Sequence, residues 1–364
     1  MLGADEFAAW YRLAATPGVS RGTARRLLAA CGSAEAVFRC AEASLEALVG
    51  VDATQALLHP PDELHRRLAA ASDWLSGGAD REVLTLADAG YPPALLQGAD
   101  PPLMLYAQGD PAWLLRPSIA VVGSRNPTPQ GEENAQAFAA ALGAQGFVIV
   151  SGLALGVDAA AHEGALSAGH GTVAVVGTGL DRVYPARHRA LSHRIAAQGV
   201  LISEYPPGTP PRPSHFPQRN RIIAGLALGT LVVEAALESG SLITARLATE
   251  AGREVFAIPG SIHSPQSRGC HQLLKQGAKL VETAEDVVEE LRGGSTAQRR
   301  LPLDESAPAD PLLEALGHDP VTLDALISRT GWPAPELSAR LMSLELDGRV
   351  ARLPGGLYQS LHRG

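Results

Sequence analysis

The segment RPSHFPQRNR combines guanidinium groups with an aromatic ring at close spacing. An arginine fork donates paired hydrogen bonds to phosphate oxygens, and an aromatic ring stacks on an unpaired base. These residue types therefore predict contact with a nucleic-acid chain. The residues concerned are Arg212, Phe216, Arg219, Asn220 and Arg221.

Two further stretches add groups that suit an anion. Arg125 follows the apolar run SIAVV, and a Gly-Ser pair opens an apolar helical pattern at 240–252. The free amides at a helix start attract negative charge, and an arginine at a turn after a strand donates two hydrogen bonds to phosphate. The predicted DNA-binding set is Gly123, Ser124, Arg125, Arg212, Phe216, Arg219, Asn220, Arg221, Gly240, Ser241 and Thr244.

Catalytic chemistry has weaker support in the sequence. Asp158, His162 and Glu163 lie on one helical stretch and could form a metal pair or an acid–base dyad. Because the chain has no second ligand cluster, we favour a helix start capped by Asp158, with His162 packed or paired with it. Ser241 lacks a GxSxG elbow. We predict no catalytic residue, no metal and no cofactor.

The first strand-to-helix turn argues against a dinucleotide or ATP site. It reads VVGSRNPTPQG, in which Arg125 replaces the second glycine of GxGxxG, and no P-loop motif occurs elsewhere. Tyr184, in the loop GTGLDRVYPARH, could stack on a base or pack internally, and the sequence does not separate these roles.

Charge is concentrated rather than spread. The net charge is −8, yet residues 182–221 hold seven arginines against one acid, Glu204. Two interpretations remain open: an electrostatic footprint for nucleic acid, or solvated loops and helix faces. With only 4% aromatic residues, the chain cannot form a long stacking platform, so phosphate contacts should dominate and sequence-specific readout is not expected.

The sequence also predicts the cellular compartment of the protein. Three cysteines without CxxC spacing, no secretion signal and no long apolar run predict a cytoplasmic protein without a membrane span.

Six short β-branched runs alternate with helical patterns from residue 118 onward. Strands that are apolar on both faces predict an α/β fold, an extended Rossmann-like doubly wound parallel sheet covered on both sides. Ligands of such folds bind beyond the carboxyl ends of the strands, where the predicted set falls. The strands are expected at 118–123, 147–152, 172–177, 200–205, 230–235 and 254–260, and the helices at 131–145, 157–168, 186–197, 220–228 and 241–252.

Four segments make up the predicted domain organisation. Residues 1–70 form a small helical domain resembling a helix-hairpin-helix, which either contacts DNA or serves as an accessory. Residues 80–292 form the Rossmann-like domain, 293–309 a flexible linker and 310–364 a winged helix. Its recognition helix, 333–346, carries Glu336, Arg340 and Glu345, so a protein contact is favoured over DNA readout.

The motifs IAVVGSR, VSGLALGVDAAAHEGAL, GTGLDRVYP, HFPQRNRIIAGL and VVEAALESGSLITARLATEAGREVFAIPG, with GCHQLLKQGA, resemble the DprA (Smf) family of DNA-processing proteins. The resemblance covers about residues 85–290. It implies a homodimer through the Rossmann-like domain that binds single-stranded DNA, and double-stranded DNA more weakly. It further implies protection of incoming DNA in natural transformation and loading of RecA. The family's DNA-contacting arginine corresponds to Arg125, and its basic and aromatic residues before the RN motif correspond to Arg212 and Phe216, followed by Arg219, Asn220 and Arg221.

Two other functions stay open at this point. The phosphoribohydrolases of the lysine-decarboxylase-like group share a Gly-Thr turn followed by an acid, here Gly229, Thr230 and Glu234. Their PGGxGTxxE motif is replaced by AGLALGTLVVE, which disfavours nucleotide processing. The other possibility, a transcription regulator, would have to read DNA with the near-neutral recognition helix.

Overall fold

The computed structural model describes residues 3–293, 311–316, 321–347, 349–353 and 356–360. The chain forms two compact units, Met1–Gly294 and Ser295–Gly364. The linker predicted at 293–309 lies, beyond Gly293, outside the described residues, and so do Pro354 and Gly355 of the predicted winged helix. The four-segment division into domains stays a prediction.

Six helices open the first unit. Ser20 accepts a hydrogen bond from the Thr23 amide and so caps the second helix, which ends at Gly32 in the left-handed conformation that favours glycine. The helices bury Trp10, Leu13 and other apolar side chains in a core that continues under the sheet. They are α1 (Ala4–Ala15), α2 (Arg21–Cys31), α3 (Ala34–Val37), α4 (Glu42–Val49), α5 (Val51–Leu58) and α6 (Asp62–Ser76).

A nine-stranded sheet forms the body of this unit, in the order β1-β2-β6-β5-β4-β3-β7-β8-β9. The strands from β3 onward pair in parallel with their neighbours, while β2 pairs antiparallel with β1 and β6 at one side. The strands are β1 (Arg81–Thr85), β2 (Met104–Gly109), β3 (Ser118–Val122), β4 (Val148–Ser151), β5 (Thr172–Val175), β6 (Val200–Ser203), β7 (Gly229–Val232), β8 (Glu254–Ala257) and β9 (Lys279–Leu280).

Helices cover both faces of the sheet. Alternate side chains of β3 enter different cores: Ile119 and Val121 pack under α8 and α9, whereas Ala120 and Val122 pack under α11 and α12. The predicted doubly wound α/β fold is thereby confirmed. These helices are α7 (Pro93–Leu96), α8 (Pro129–Ala144), α9 (Val157–Ser167), α10 (Arg189–Gln198), α11 (His215–Leu226), α12 (Gly240–Glu250), α13 (Arg268–Lys275) and α14 (Ala284–Leu291), with 3-10 turns at Pro111–Leu115, Ala186–His188 and Pro265–Ser267.

The strand order reverses at β3, which lies between β4 and β7. The connections on either side of this point leave to opposite faces, and the carboxyl ends of β3 and β7 therefore border a crevice. Helix α11 begins at His215 rather than at 220, so Phe216 lies in a first helical turn and not in a loop. Pro217 misled the prediction, since proline is accommodated in the first turn, where its missing N–H costs no intrahelical bond.

The second unit is a winged helix with its own apolar core, which includes Leu326, Leu337 and Leu341. Thr322 caps its second helix by accepting from the Ala325 amide. Its three strands pair antiparallel in the order β10-β12-β11. Its elements are α15 (Pro311–Leu316), β10 (Val321–Thr322), α16 (Leu323–Thr330), α17 (Ala334–Leu346), β11 (Val350–Leu353) and β12 (Leu357–Ser360). Across the described parts of both units, no helix is long and apolar enough to cross a membrane.

Candidate nucleic-acid interface

A cavity of about 480 Å³ opens at the carboxyl ends of β3 and β7, between the starts of α11 and α12. We call it the main cavity. Nine residues of the predicted set line it: Gly123, Ser124, Arg125, Phe216, Arg219, Asn220, Gly240, Ser241 and Thr244. Arg212 and Arg221 do not line it.

The turn after β3 is held by the end of β7. The Ser124 amide donates to the Glu234 carbonyl at 2.7 Å, and the Glu234 carboxylate accepts from the Thr128 amide at 2.9 Å and the Thr128 hydroxyl at 2.6 Å. Thr128 also caps α8. Sequence reasoning missed this clasp, although Thr128-Pro129 is the pattern of a helix cap followed by proline. The clasp fixes the backbone on either side of Arg125.

Gly156 allows the start of α9 to approach the same turn. Its φ is +74°, and a Cβ there would collide with the Ser124 carbonyl oxygen and lie 2.5 Å from Pro127. A side chain at 156 would therefore displace the turn that carries Arg125.

Arg125 projects into solvent beside two aromatic rings. Its guanidinium carbon lies 6.0 Å from the centroid of Phe216, and the Phe216 ring lies 5.4 Å from that of Tyr184. Within the described residues, no carboxylate pairs with Arg125. A free cation next to an aromatic pair suits a phosphate with its neighbouring base.

Arg219 occupies the floor of the main cavity, not its rim. The residue is only 5% exposed, and its Nη1 donates to the carbonyl oxygens of Gly152, at 2.5 Å, and of Val175. Burial lowers the pKa of Arg219 to about 10, the charge of Asp158 opposes this shift, and the charge of Arg125 adds to it. Nη1 of Arg219 is thus engaged at the ends of β4 and β5, and the DNA contact of this residue stays a prediction.

Arg221 is also engaged within the protein. Its Nη2 donates to both Glu204 oxygens, at 2.6 and 2.7 Å, and its Nε lies 3.5 Å from Asp100. Arg21 of α2 joins the same two acids. The Arg221 side chain thus connects α11 to the N-terminal helices through these acids, and its DNA contact stays a prediction. Arg212 is exposed, away from the main cavity.

The start of α12 forms another wall of the main cavity. Ser239 caps the helix, accepting from the Ser241 amide at 3.3 Å and sharing a 2.7 Å hydrogen bond with the Ser241 hydroxyl. Asn220 donates to the Gly240 carbonyl at 3.4 Å and so connects α11 to this wall. The helix start favours an anion, whereas Glu238 at the rim opposes one.

Asp158 and His162 do not form a dyad. The Asp158 carboxylate accepts from the amides of Gly152 and Ala154, at 3.0 and 3.4 Å, and the cap position of α9 is Gly156, so the predicted capping by Asp158 is wrong. His162 is fully buried with Nδ1 2.8 Å from the Thr172 hydroxyl, which confirms the packed alternative. Burial, followed by the charges of His188 and Arg219, lowers its pKa to about 3. A neutral, enclosed imidazole holds the helix against β5.

The arginine-rich segment 182–221 separates into internal and free groups. Arg194 pairs with Glu163 at 2.5 Å, Arg219 is buried, and Arg221 is held by Glu204. Arg182 meets Asp181 at 3.3 Å but stays half exposed. In the described chain, no partner is bound by the side chains of Arg187, Arg189 and Arg212. The buried or acid-paired arginines of this segment have internal partners, and a nucleic-acid footprint formed by the remaining arginines stays a prediction.

A doubly wound sheet in one unit and a winged helix in the other define a Rossmann-like protein with a winged-helix domain. The chain belongs to the DNA recombination-mediator protein A family, whose model matches residues 82–292. The model of the DprA winged helix domain matches residues 296–356.

Known proteins are similar to this chain over more than half of its length. Protein Smf of Escherichia coli is 44% identical over 283 residues, 75% of each chain. The X-ray structure of DNA processing protein A from Streptococcus pneumoniae matches with a TM-score of 0.69 at 35% identity, covering 80% of this chain and 99% of that one. DNA processing protein A from Helicobacter pylori, whose structure concerns a single-stranded DNA binding mode, matches with a TM-score of 0.53 at 33% identity, covering 58% and 96%.

Proposed function

We propose that this protein binds single-stranded DNA in the main cavity and mediates recombination by protecting that strand and loading RecA onto it. The observation that carries the proposal is the free guanidinium of Arg125 beside Phe216, in a cavity that the start of α12 also lines. Membership of the recombination-mediator family and the DNA-binding relative from Helicobacter pylori support it.

A single strand suits this site better than a duplex. Phe216 lies within the cavity lining, so a base must leave its stack to reach the ring, and a duplex keeps its bases stacked. Arg125 and the helix start address phosphate, which carries no sequence information. We therefore propose weak preference among sequences and weaker binding of double-stranded DNA.

The proposal places the protein in the cytoplasm during natural transformation, where incoming single strands and RecA meet. It includes a homodimer through the Rossmann-like domain, a feature of the family resemblance that the motifs carry. The role is that of a binding protein and not of an enzyme.

A nucleotide-processing enzyme is the alternative, and the engagement of Glu234 argues against it. An acid at this position would need a free carboxylate, but both oxygens accept from Thr128. Release of base from nucleoside monophosphates by the purified protein would support the alternative; no release is expected.

Fluorescence anisotropy with a labelled oligo(dT) of about 20 nucleotides, across a salt series, tests the site. Arg125→Ala should weaken binding and make the slope of log K against log salt shallower by about 0.7, the value for one phosphate contact on a single strand. Phe216→Ala should weaken binding by about 5- to 150-fold, the worth of one stacked base.

Arg66→Ala serves as the matched control, because Arg66 is an exposed arginine of α6 that pairs with Glu63 and does not line either cavity. Its affinity and salt slope should equal those of the wild type. Wild-type binding by both Arg125→Ala and Phe216→Ala would reject the site. RecA-dependent gel shifts on the same oligonucleotide test the loading step separately.

A further inference from the structure

A second cavity of about 720 Å³ begins beside the carboxyl ends of β4 and β5, where Leu153 and Val176 line it, and extends past Leu201 near the start of β6 to Gln108 of β2. It is bordered by α10 and by the loop that follows β5, and we call it the side cavity. Its lining includes Tyr184, Arg182, Arg189 and His193. None of these residues belongs to the main cavity.

The aromatic pair joins the two cavities. Phe216 lines the main cavity and Tyr184 the side cavity, with ring centroids 5.4 Å apart and planes 35° apart. Tyr184 is 49% exposed. A buried tyrosine would usually hydrogen-bond its hydroxyl and fill a core, whereas half of this side chain stays open to a ligand. The ring thus extends the surface on which bases could stack.

The charges of the side cavity favour an anion. Arg189 is exposed, and in the described chain its guanidinium has no acidic partner. The acids are already engaged: Asp181 accepts from the Gly208 amide at 2.7 Å and pairs with Arg182, and Asp80 accepts from Gln108 at 2.9 Å. Arg81 donates to the Trp74 carbonyl at 2.7 Å. The cation left free to meet a ligand is therefore Arg189, aided by the half-exposed Arg182.

We propose that the side cavity is a second subsite for single-stranded nucleic acid, reached by the same strand after it passes Phe216 and Tyr184. Tyr184 stacks on a base, and Arg189 and Arg182 contact the phosphates that follow. This inference rests on the proposed function of the main cavity. It adds a direction of travel, from the end of β3 past the ends of β4 and β5 to α10, and a minimum strand length for full affinity.

Oligo(dT) of about 6 and about 20 nucleotides separates the two subsites. The double variant Arg182→Ala/Arg189→Ala should bind the short oligonucleotide as the wild type does, and the long one at least about fivefold more weakly. Its salt slope on the long oligonucleotide should be shallower by about 1.4, for two phosphate contacts. Arg194→Ala is the matched control, since Arg194 lies on α10 with Arg189 but pairs with Glu163.

Equal affinity of the double variant and wild type for the long oligonucleotide would overturn the second subsite, and so would equal losses on both lengths. Failure of the wild type to bind either length would instead reject the proposed function itself. A second measurement needs no variant: bromodeoxyuridine placed at successive positions of the long oligonucleotide should crosslink to Tyr184 at positions beyond those that crosslink to Phe216. Crosslinks to Phe216 alone would also overturn the proposal.

Discussion

Arg125 and Arg219 border the same cavity, and burial separates their roles. Arg125 keeps its guanidinium in solvent, where a phosphate can replace water as its partner. Arg219 has already exchanged water for two carbonyl oxygens and the nearby charge of Asp158. An arginine committed in this way supports the shape of the site, because withdrawing it would leave buried polar groups without partners.

Replacement of Arg219 should therefore act on stability. Arg219→Met removes the cation that offsets buried Asp158 and leaves two strand-end carbonyls unpaired, so the free energy of unfolding should fall by about 3–5 kcal/mol. Urea denaturation followed by circular dichroism measures it. Arg246→Met, at an exposed arginine paired with Glu250, should change stability by less than about 1 kcal/mol. An Arg219→Met protein of unchanged stability that has lost DNA affinity would instead confirm the predicted DNA contact of Arg219.

The buried imidazole of His162 gives the fold an acid-sensitive component. Its folded-state pKa is lowered to about 3, below the ordinary value of 6.5, so between these values only the unfolded chain takes up the proton. Stability contributed by neutral His162 is thus complete above pH 6.5 and falls as the pH drops, by up to about 1.4 kcal/mol per unit. Burial raises the pKa of Asp158, which acts in the opposite sense.

A substitution at His162 separates its contribution to the pH dependence of stability from that of Asp158. His162→Gln should flatten the decline in unfolding free energy between pH 6 and pH 4, measured by denaturant titrations at each pH. His59→Gln, at an exposed histidine, should leave the decline as in the wild type. An unchanged slope in His162→Gln would show that other groups control the acid response.

The sequence could indicate which residue types gather at the site, but not which of them are already paired. Arg219, Arg221 and Arg125 look alike in a string of letters. They differ in their partners: Asp158 and the strand-end carbonyls for Arg219, and Glu204 for Arg221. These partners lie 17 or more positions away in sequence, and only the order of strands in the sheet brings them close. The same reason hid the clasp between Glu234 and Thr128, whose partners are separated by 106 positions.

At the scale of elements, the six apolar runs predicted the strands within about three residues, because continuous β-branched segments have few alternatives to a buried parallel strand. The start of α11 was missed because Pro217 and the polar residues around it resemble a loop. Strands β1 and β2 were not among the six predicted runs, since their short and mixed pattern is fixed by antiparallel pairing, of β1 with β2 and of β2 with β6, rather than by local preference.

The turn after β3 depends on its clasp to β7. Glu234→Ala removes the acceptor for the Thr128 amide and hydroxyl, so the turn should loosen and hold Arg125 less firmly. We expect faster amide hydrogen exchange at 124–128 and affinity for oligo(dT) reduced several-fold, while Glu234→Gln, which keeps one carbonyl acceptor, should recover part of the loss. Glu250→Ala, at an exposed acid of α12, should alter neither quantity. Normal affinity with fast exchange would show that the turn orders itself on DNA.

At the scale of the whole molecule, the residues of both cavities lie in the first compact unit. The recognition helix α17 of the second unit exposes apolar side chains, with Met342 65% and Leu346 82% accessible, and the Arg340 guanidinium lies 4.7 Å from the Trp332 ring centroid. A contact of this helix with a protein rather than with DNA stays a prediction.

A chain ending at Gly294 should therefore keep its affinity for oligo(dT) to within about twofold, because the first unit has its own cores and contains the complete site. Anisotropy titrations of the shortened and full-length proteins, performed at equal salt, measure this. The isolated second unit should bind neither single- nor double-stranded DNA in the same assay. A tenfold loss in the shortened protein would assign part of the DNA contact to the winged helix.

The reversal of strand order at β3 also matters while the chain is being synthesised. Strand β3 leaves the ribosome early, but its neighbour β7 begins 107 positions after Val122, and the wall formed by α12 follows later still. Loop closure over such a distance must precede the contacts that reward it. A nascent chain that has exposed Arg125 thus still lacks α12 and the cavity wall that α12 forms. The growing polypeptide should therefore not bind nearby single strands, messenger RNA included, until most of the first unit has emerged.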